Sequence, residues 1–467
     1  MVKYEDTYFF NYEKAYLVAK QQNKMNDGYR LQICYYDGEY KDSDLVNLVH
    51  LPIDNLAENL ARGQLRFPSF IDFSNTDFSV EVQDIILEGF KENLQIAENL
   101  RTKFCQLSLY EAKELSPNFE EPLRFYLEAN TNTQVMQHVA KNIADTLKRN
   151  GYTVFLKFYY GMEDPRSKKD FVEFNPHVTI NINHLRNMYL NEKVFNFVWF
   201  QDAMPCLIDN STLLLREKDY IYSLVNTLDI FLKRKGIDFS RQSFCINTNI
   251  FYENINIKRD KKIIFIGSSY SHMIPSDSNT KLLVDSVVEL FNKGESFTPD
   301  IVDQLSEEFN INKDLIRTKI IPYVIRDFSV LLLCQLNTSY TVEIYGHGWE
   351  HYESIKPFYH GVLEYGKSLA DIYNTATFVF APHQNYILQQ RTLEGAACGA
   401  IPILYDCRSV SDEKTYEESI CYFKTKNDLE KILLDPKFLK KDLKDLVTNN
   451  SYESFTKKIL NIVEGKI

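Results

Sequence analysis

The chain has 467 residues, too many for one ordinary core, and at about 150 residues per domain two or three domains are expected. A hydrophobic share of 44% with 25% charged residues describes a globular protein, and a net charge of −11 excludes a bulk nucleic-acid binder while leaving room for a local basic pocket. No run of 18 apolar residues occurs, so no membrane-spanning helix is expected.

The first stretch, MVKYEDTYFFNYEKAY, carries neither a signal-peptide pattern nor an anchor. Eight cysteines are scattered without a CxxC pair, which predicts reduced, buried thiols and a cytoplasmic protein. Residues 1–115 are expected to form an N-terminal extension, mixed or mainly helical. RLQICYYDGEY (30–40) reads as a strand ending in an Asp-Gly turn. Residues 45–63 and 79–104 carry apolar positions at helical spacing. Asp42-Ser43-Asp44 forms a DxD string, but its charged surroundings make it a solvated turn.

From 121 the pattern becomes regular. PLRFYLEA is a strand, NTNT a polar turn, QVMQHVAKNIADTLKRNG an amphipathic helix and YTVFLKFYY the next strand, which together make a βαβ unit. HVTININ (177–183) and FNFVWF (195–200) add strands. LLLREKDYIYSLVNTLDIFLKRKG reads as a helical region, and SFCINTNIF as a short closing strand. Residues 121–255 therefore read as one Rossmann-like domain, and INIKRDKK (255–262) as a linker.

KKIIFIGSSYSHM restarts the pattern. A second Rossmann-like domain is expected over 261–440. It contains a long helical stretch, strands near 342–345, 377–381 and 401–405, and helices near 366–375 and 391–398. Residues 441–467 are expected as a C-terminal helix packing back toward the first domain. Open α/β sheets bind ligands at the carboxyl ends of their strands, where glycine and polar residues gather here.

GVLEYGKSLADIYNTATFVFAPH followed by RTLEGAACGAIPILYD resembles the nucleotide-sugar half of GT-B glycosyltransferases. More narrowly it resembles the group containing the spore maturation protein CgeB. FVWFQDAMPCL and IIFIGSSYSHM are similar to that group too, and the resemblance covers roughly 121–440. It implies an α/β GT-B fold, two Rossmann-like domains facing a cleft. It also implies transfer of a sugar from a nucleotide-diphosphate sugar to a hydroxyl of a protein or glycan acceptor, flagellin, a spore or surface protein, or a polysaccharide among them. No cofactor and no metal would be required. Many retaining members carry a second glutamate separated by seven residues from the one that matches Glu394, and at that position, eight before Glu394, this chain has Tyr386. The retaining or inverting outcome therefore stays open. A catalytically silent sugar-nucleotide or glycan-binding protein is the alternative.

Glu394 sits near a helix start, where its carboxylate can accept two hydrogen bonds from ribose hydroxyls. An acidic residue there is also favourable on dipole grounds alone. Arg391 and Thr392 lie at the same helix N-terminus, a natural anion site, and are assigned to the diphosphate. Gly395 and Gly399 allow close packing and a turn. Gly267, Ser268 and Ser269 follow a strand, so their amides can face a phosphate or sugar. Gly346 ends another strand. The resemblance places the nucleobase at the loop Gly361, Val362 and Leu363. Trp349 either stacks on a base or fills core.

His347 and His351 have i,i+4 spacing but a loop signal between them, so no metal site is expected. His383 follows a strand at its carboxyl end and faces the donor sugar or phosphate. An inverting transfer needs a base for the acceptor proton. Asp202, after FNFVWF, is the first candidate and His184 the second. A turn or helix N-cap before Pro205 is the competing reading of Asp202.

Overall fold

A computed structural model describes residues 6–24, 32–45, 47–62, 65–130, 134–159, 165–209, 212–384, 386–411 and 413–466. Most of the expected NTNT turn, residues 30–31 of the 30–40 segment and residues 46 and 63 of the 45–63 segment lie outside the described residues. The chain divides into two compact units. The first takes residues up to Ser223, Phe231–Ser240 and those from Ile459 onward; the second takes Leu224–Ile230 and Arg241–Lys458.

The first unit contains two parallel sheets. Strands β1 (Thr7–Phe9), β2 (Cys34–Tyr36), β3 (Leu48–His50) and β4 (Phe70–Asp72) form a four-stranded sheet in the order β3-β2-β1-β4. Helices α1 (Tyr12–Lys24), α2 (Leu56–Arg62) and the 35-residue α3 (Val80–Glu114) accompany it. Each strand is three residues long, too short for periodicity to reveal, so the N-terminal extension holds a sheet that sequence pattern showed only at β2.

The second sheet of this unit is built from β5 (Arg124–Asn130), β6 (Thr153–Tyr159), β7 (Val178–Ile182), β8 (Phe195–Phe200), β9 (Asp219–Ser223) and β10 (Ser240–Arg241), in the order β10-β9-β8-β7-β5-β6. Helix α4 (Gln134–Arg149) makes the β5–β6 crossover, and α5 (Pro165–Phe174) follows β6. Every residue of β7 and β8 is buried, as in a central parallel strand covered on both faces. The stretch expected as helix around DYIYS is strand β9, and the helix begins only at Asn226. Alternating tyrosines and the β-branched Ile221 suit a half-covered strand better than a helix.

The second unit has one parallel sheet of β11 (Lys262–Ile266), β12 (Thr341–Tyr345), β13 (Phe378–Phe380), β14 (Ile401–Tyr405) and β15 (Cys421–Phe423), ordered β12-β11-β13-β14-β15. Each neighbouring pair is parallel. The strand order reverses between β11 and β13, the position where doubly wound sheets open a crevice. The fold class is thus α/β with two Rossmann-like sheets. Residues 255–262 are no free linker: Arg259 donates to the Ala376 carbonyl at 2.6 Å and the Cys398 carbonyl at 2.9 Å, tying the segment to the second unit.

The long crossover from β11 to β12 contains helices Ser278–Lys293 and Pro299–Phe309, then a helical run over 313–334. Within that run, Ile316–Ile320 and Val324–Phe328 are wound as π-helix. Pro322 lies between them and supplies no N–H, so the regular ladder is interrupted there. Among the described residues no helix is long and apolar enough to cross a membrane. The last helix, Tyr452–Glu464, ends with the residues grouped in the first unit.

Candidate functional site

The carboxyl end of β11 sets the site. Gly267 donates its amide to the Tyr345 carbonyl, and Ser269 donates its amide to the His347 carbonyl, both at 2.9 Å. These two amides, expected to face a ligand, are therefore committed to the β12 loop. The Ser268 amide finds no acceptor among the described residues and is the one left to offer. Gly346 is required by proximity: a β-carbon there would lie 2.5 Å from the Gly267 carbonyl carbon. Trp349 is fully buried, with its indole N–H on the Gly267 carbonyl at 2.6 Å, so it fills core.

The Asp327 carboxylate locks this loop. It is fully buried and accepts from the Ser269 hydroxyl at 2.5 Å, the Tyr270 amide at 3.1 Å and the Tyr352 hydroxyl at 2.8 Å. Burial raises its pKa, and the three donors pull it back. Ser269 is thus a positioning residue with its hydroxyl already used.

Next to Asp327, within the second π-helical turn, stands Arg326. It is buried, its guanidinium lies 3.7 Å over the Tyr270 ring, and its Nη1 donates weakly to the Ser268 carbonyl at 3.4 Å. Burial, then repulsion from Arg391, lowers its pKa to about 9. Arg326 is the site residue that sequence reading missed. A charged Arg-Asp pair inside the apolar run IIPYVIRDFSVLLL was the available signal, since charges are seldom buried without a task.

Helix Gln390–Ala397 follows β13 and brings Arg391, Thr392 and Glu394 to the same region of the unit. Among the described residues no side chain caps its N-terminus, so its first-turn amides carry the positive end of the helix dipole without a side-chain acceptor. The helix sits close to the sheet because residue 395 is glycine. A β-carbon there would lie 2.7 Å from Val379 Cβ on β13. Gly399 closes the helix with φ +82°, its amide on the Ala396 carbonyl and that of Ala400 on the Gly395 carbonyl.

Arg391 Nη1 and Thr392 Oγ1 are buried without a hydrogen-bond partner among the described residues, as is Arg326 Nε. Neither arginine makes an ion pair with a carboxylate among those residues. Two adjacent guanidiniums held in this way create a strong local positive field in a chain of net charge −11. His383, half-buried after β13, has its pKa pushed down by burial, by Arg326 and by Arg391, so it stands neutral. Its ring stacks on Tyr386 at 4.8 Å.

Glu394 is 4% exposed. Burial raises its pKa to about 7, against the opposing pull of Gln390, Arg391 and Tyr373. The loop Gly361, Val362 and Leu363 follows β12. Gly361 accepts the Gly346 amide at 2.8 Å, Val362 is 52% exposed, and Leu363 packs partly into the core. A cavity of about 660 Å³ lies at the other end of helix Gln390–Ala397, lined by Arg259, Gly399 and Lys441, but none of its lining atoms is a buried polar group lacking a partner.

Asp202 and His184 belong to the first unit, at the carboxyl ends of β8 and β7. Asp202 is exposed and accepts from Asn183 Nδ2 at 2.7 Å; its own amide donates to Asn183 Oδ1 at 3.0 Å. Asn183 adopts φ +64° to make this exchange. Helix Pro205–Ile208 has no side-chain cap, so Asp202 is not its N-cap. His184 is half-buried, which lowers its pKa. No group of three or more His, Cys, Asp or Glu side chains is placed to hold a metal among the described residues.

No curated protein matches the chain. Among solved structures it is similar to a sucrose-phosphate synthase from Thermosynechococcus elongatus (11% identity, TM-score 0.44, covering 73% of this chain and 98% of that one). It is also similar to AviGT4, a glycosyltransferase involved in avilamycin A biosynthesis (10%, TM-score 0.41, 74% and 99%). A third is WaaG, a glycosyltransferase involved in lipopolysaccharide biosynthesis (9%, TM-score 0.39, 73% and 100%). Residues 326–445, the span that holds Arg326, His383, Arg391 and Glu394, match the family model described as glycosyl transferase-like.

Proposed function

We propose that the protein is a GT-B glycosyltransferase that moves a sugar from a nucleotide-diphosphate sugar to an acceptor hydroxyl. The observation that carries this reading is the pair Arg326, which is buried, and Arg391, which is half-buried, neighbouring guanidiniums each with a buried nitrogen left unpartnered among the described residues, in the unit whose strand order reverses between β11 and β13. Buried cations without carboxylate partners are costly unless an anion completes them. A diphosphate fits: two charges, several acceptor oxygens and the uncapped helix end at Gln390.

In this reading Glu394 accepts the ribose hydroxyls, and the exposed Val362 loop meets the base. Neutral His383 donates a hydrogen bond to the sugar or its phosphate. The developing charge on the leaving diphosphate is stabilised by Arg326, Arg391 and the helix dipole. That supply of positive charge makes a divalent metal unnecessary, and turnover should survive EDTA. The first unit is assigned the acceptor, with Asp202 as base for its proton and His184 as the second candidate. The acceptor is a protein or glycan hydroxyl, as in the CgeB-like group, and the sugar is a hexose.

One observation favours a binding-only protein. Tyr386, stacked on His383, stands where a retaining enzyme would carry a carboxylate. The deciding experiment is a thermal-shift screen of nucleoside diphosphates and their sugars, followed by assay of nucleoside diphosphate release with candidate acceptors. Donor-specific stabilisation with release supports transfer; stabilisation without release supports binding alone; no stabilisation by any nucleotide rejects both.

A further inference from the structure

Helix α3 uses one face for its own unit. Phe90, Ala97 and Ala112 are buried, and Arg101 donates to the Leu60 and Leu65 carbonyls at 2.8 and 2.9 Å. A different face carries apolar side chains with nothing over them. Val82 is 40% exposed, Ile85 72%, Ile96 50%, Leu107 58% and Tyr110 67%. At 100° per residue these five fall within one stripe about 80° wide.

Their spacing is symmetric. Ile85 and Leu107 each lie eleven positions from Ile96, and Val82 and Tyr110 each lie fourteen. A twofold axis through Ile96, perpendicular to the helix, therefore maps the stripe onto itself in reverse. The positions between them obey the same relation: Gly89 mirrors Lys103, and Glu92 mirrors Leu100. A β-carbon at Gly89 would meet nothing within 4 Å, so room exists there for an opposing side chain.

We propose that the partner of this face is a second copy of the same chain, docked antiparallel through α3. Ile96 then meets Ile96 of the second copy, Ile85 meets Leu107, and Val82 meets Tyr110. Lys103 of each copy lies over Gly89 of the other, and its ammonium reaches Glu92 one turn away. This gives two symmetry-related charge pairs. Neither Glu92 nor Lys103 has an ion pair within its own chain among the described residues. A parallel pairing would bring Glu92 against Glu92 and Lys103 against Lys103, which opposes it. The contact is isologous and closed, so it stops at a dimer. It extends over about 42 Å, the rise of the 28 steps from Val82 to Tyr110.

Sedimentation of the full chain across roughly 1–200 μM tests this. The expected result is a concentration-dependent monomer–dimer equilibrium that Ile96→Glu weakens at least tenfold, with unchanged circular dichroism because the position is exposed. Orientation is read by cysteine cross-linking against the wild-type background. Ile96→Cys should link to itself, Ile85→Cys alone should not, and Ile85→Cys mixed with Leu107→Cys should. A wild-type monomer throughout the range overturns the proposal, as does a dimer indifferent to Ile96→Glu. Self-linking of Ile85→Cys without that of Ile96→Cys overturns the antiparallel arrangement. Flotation of the wild-type monomer, but not of Ile96→Glu, with anionic vesicles would assign the stripe to a membrane surface instead.

Discussion

Gly267 and Arg391 share a space that admits only one side chain. A β-carbon at 267 would meet the guanidinium itself, 2.9 Å from Cζ. The absence of a side chain after β11 is what lets Arg391, from a helix more than a hundred residues later, reach the crevice. Gly267→Ala should therefore act on both binding and folding, because it displaces the guanidinium and places a β-carbon on backbone at φ +156°. Nucleotide affinity is expected to fall roughly tenfold or more, the value of one charge-assisted contact, with a stability loss of about 1–2 kcal/mol from the backbone. Calorimetric titration with the preferred nucleoside diphosphate, beside a melting curve, separates the two. An unaltered affinity would remove Arg391 from the phosphate site.

The two arginines should tolerate lysine poorly. Lysine keeps the charge but loses the planar fork and the stacking that Arg326 makes on Tyr270. Arg326→Lys and Arg391→Lys are each expected to weaken diphosphate binding by about 10–100-fold. Because the two groups would hold one anion, the doubly substituted chain should lose less than the product of the two single effects. Full additivity in a double-mutant cycle would mean the groups do not share one anion.

Sequence pattern reached the second sheet because its strands are apolar and bounded by glycine. The strand expected at 401–405 is β14, and the helix expected at 391–398 is Gln390–Ala397. The placement of the candidate residues was legible where they follow a strand, as at Gly267, His383 and Arg391, which lie in one region of the second unit. It was not legible where a residue comes from elsewhere in the chain. Arg326 lies inside a run whose periodicity says only helix, and its role depends on a π-helical turn that pattern cannot register. Ser269 shows the converse. Its place after β11 suggested a ligand contact, yet Asp327, some sixty residues on, already takes its hydroxyl. In the first unit, three-residue strands gave no period to read, and β9 was read together with the helix that starts three residues after it.

Gly395 offers a test of packing alone. Its neighbour Val379 is fully buried in the central strand β13, and neither backbone can yield cheaply. Gly395→Ala should destabilise the second unit by about 1–3 kcal/mol, the usual range for overpacking. Chemical denaturation measures it. A neutral result would mean that helix Gln390–Ala397 can slide outward, and nucleotide affinity should then drop with it.

Glu394 makes stability depend on pH. Its carboxyl titrates at about 7 in the folded chain, against 4.5 as the ordinary value. The folded state thus holds this proton more tightly than the unfolded one. The associated stability is fully present below about pH 4.5 and is lost as pH rises through about 7, amounting to at most about 3 kcal/mol. Glu394→Gln should remove that slope, so its melting temperature gains on the wild type between pH 5 and 8. Ribose hydroxyls donating to the carboxylate would favour its charged form, and nucleotide binding near pH 7 should release a proton. Titration calorimetry in buffers of different ionisation enthalpy reads that proton. No release, with unchanged affinity in the glutamine variant, would leave Glu394 as a packing residue.

Asp202 is held without being consumed. Its carboxylate takes one hydrogen bond from Asn183 and remains exposed, and the strained φ of +64° at Asn183 fixes its direction. That is the arrangement the proposed base needs: oriented by Asn183 and open to solvent. Asp202→Asn preserves size and can still bond to Asn183, so the fold should be kept. Turnover should fall by about 10²–10⁴, the range for loss of a general base, while donor affinity stays within a factor of about two. His184→Gln should reduce turnover much less. If Asp202→Asn turns over at the wild-type rate while His184→Gln does not, the two assignments exchange. If neither variant slows release of nucleoside diphosphate, the acceptor proton is taken by a group outside this pair, and the exchange between Asn183 and Asp202 serves only to close the β8 turn.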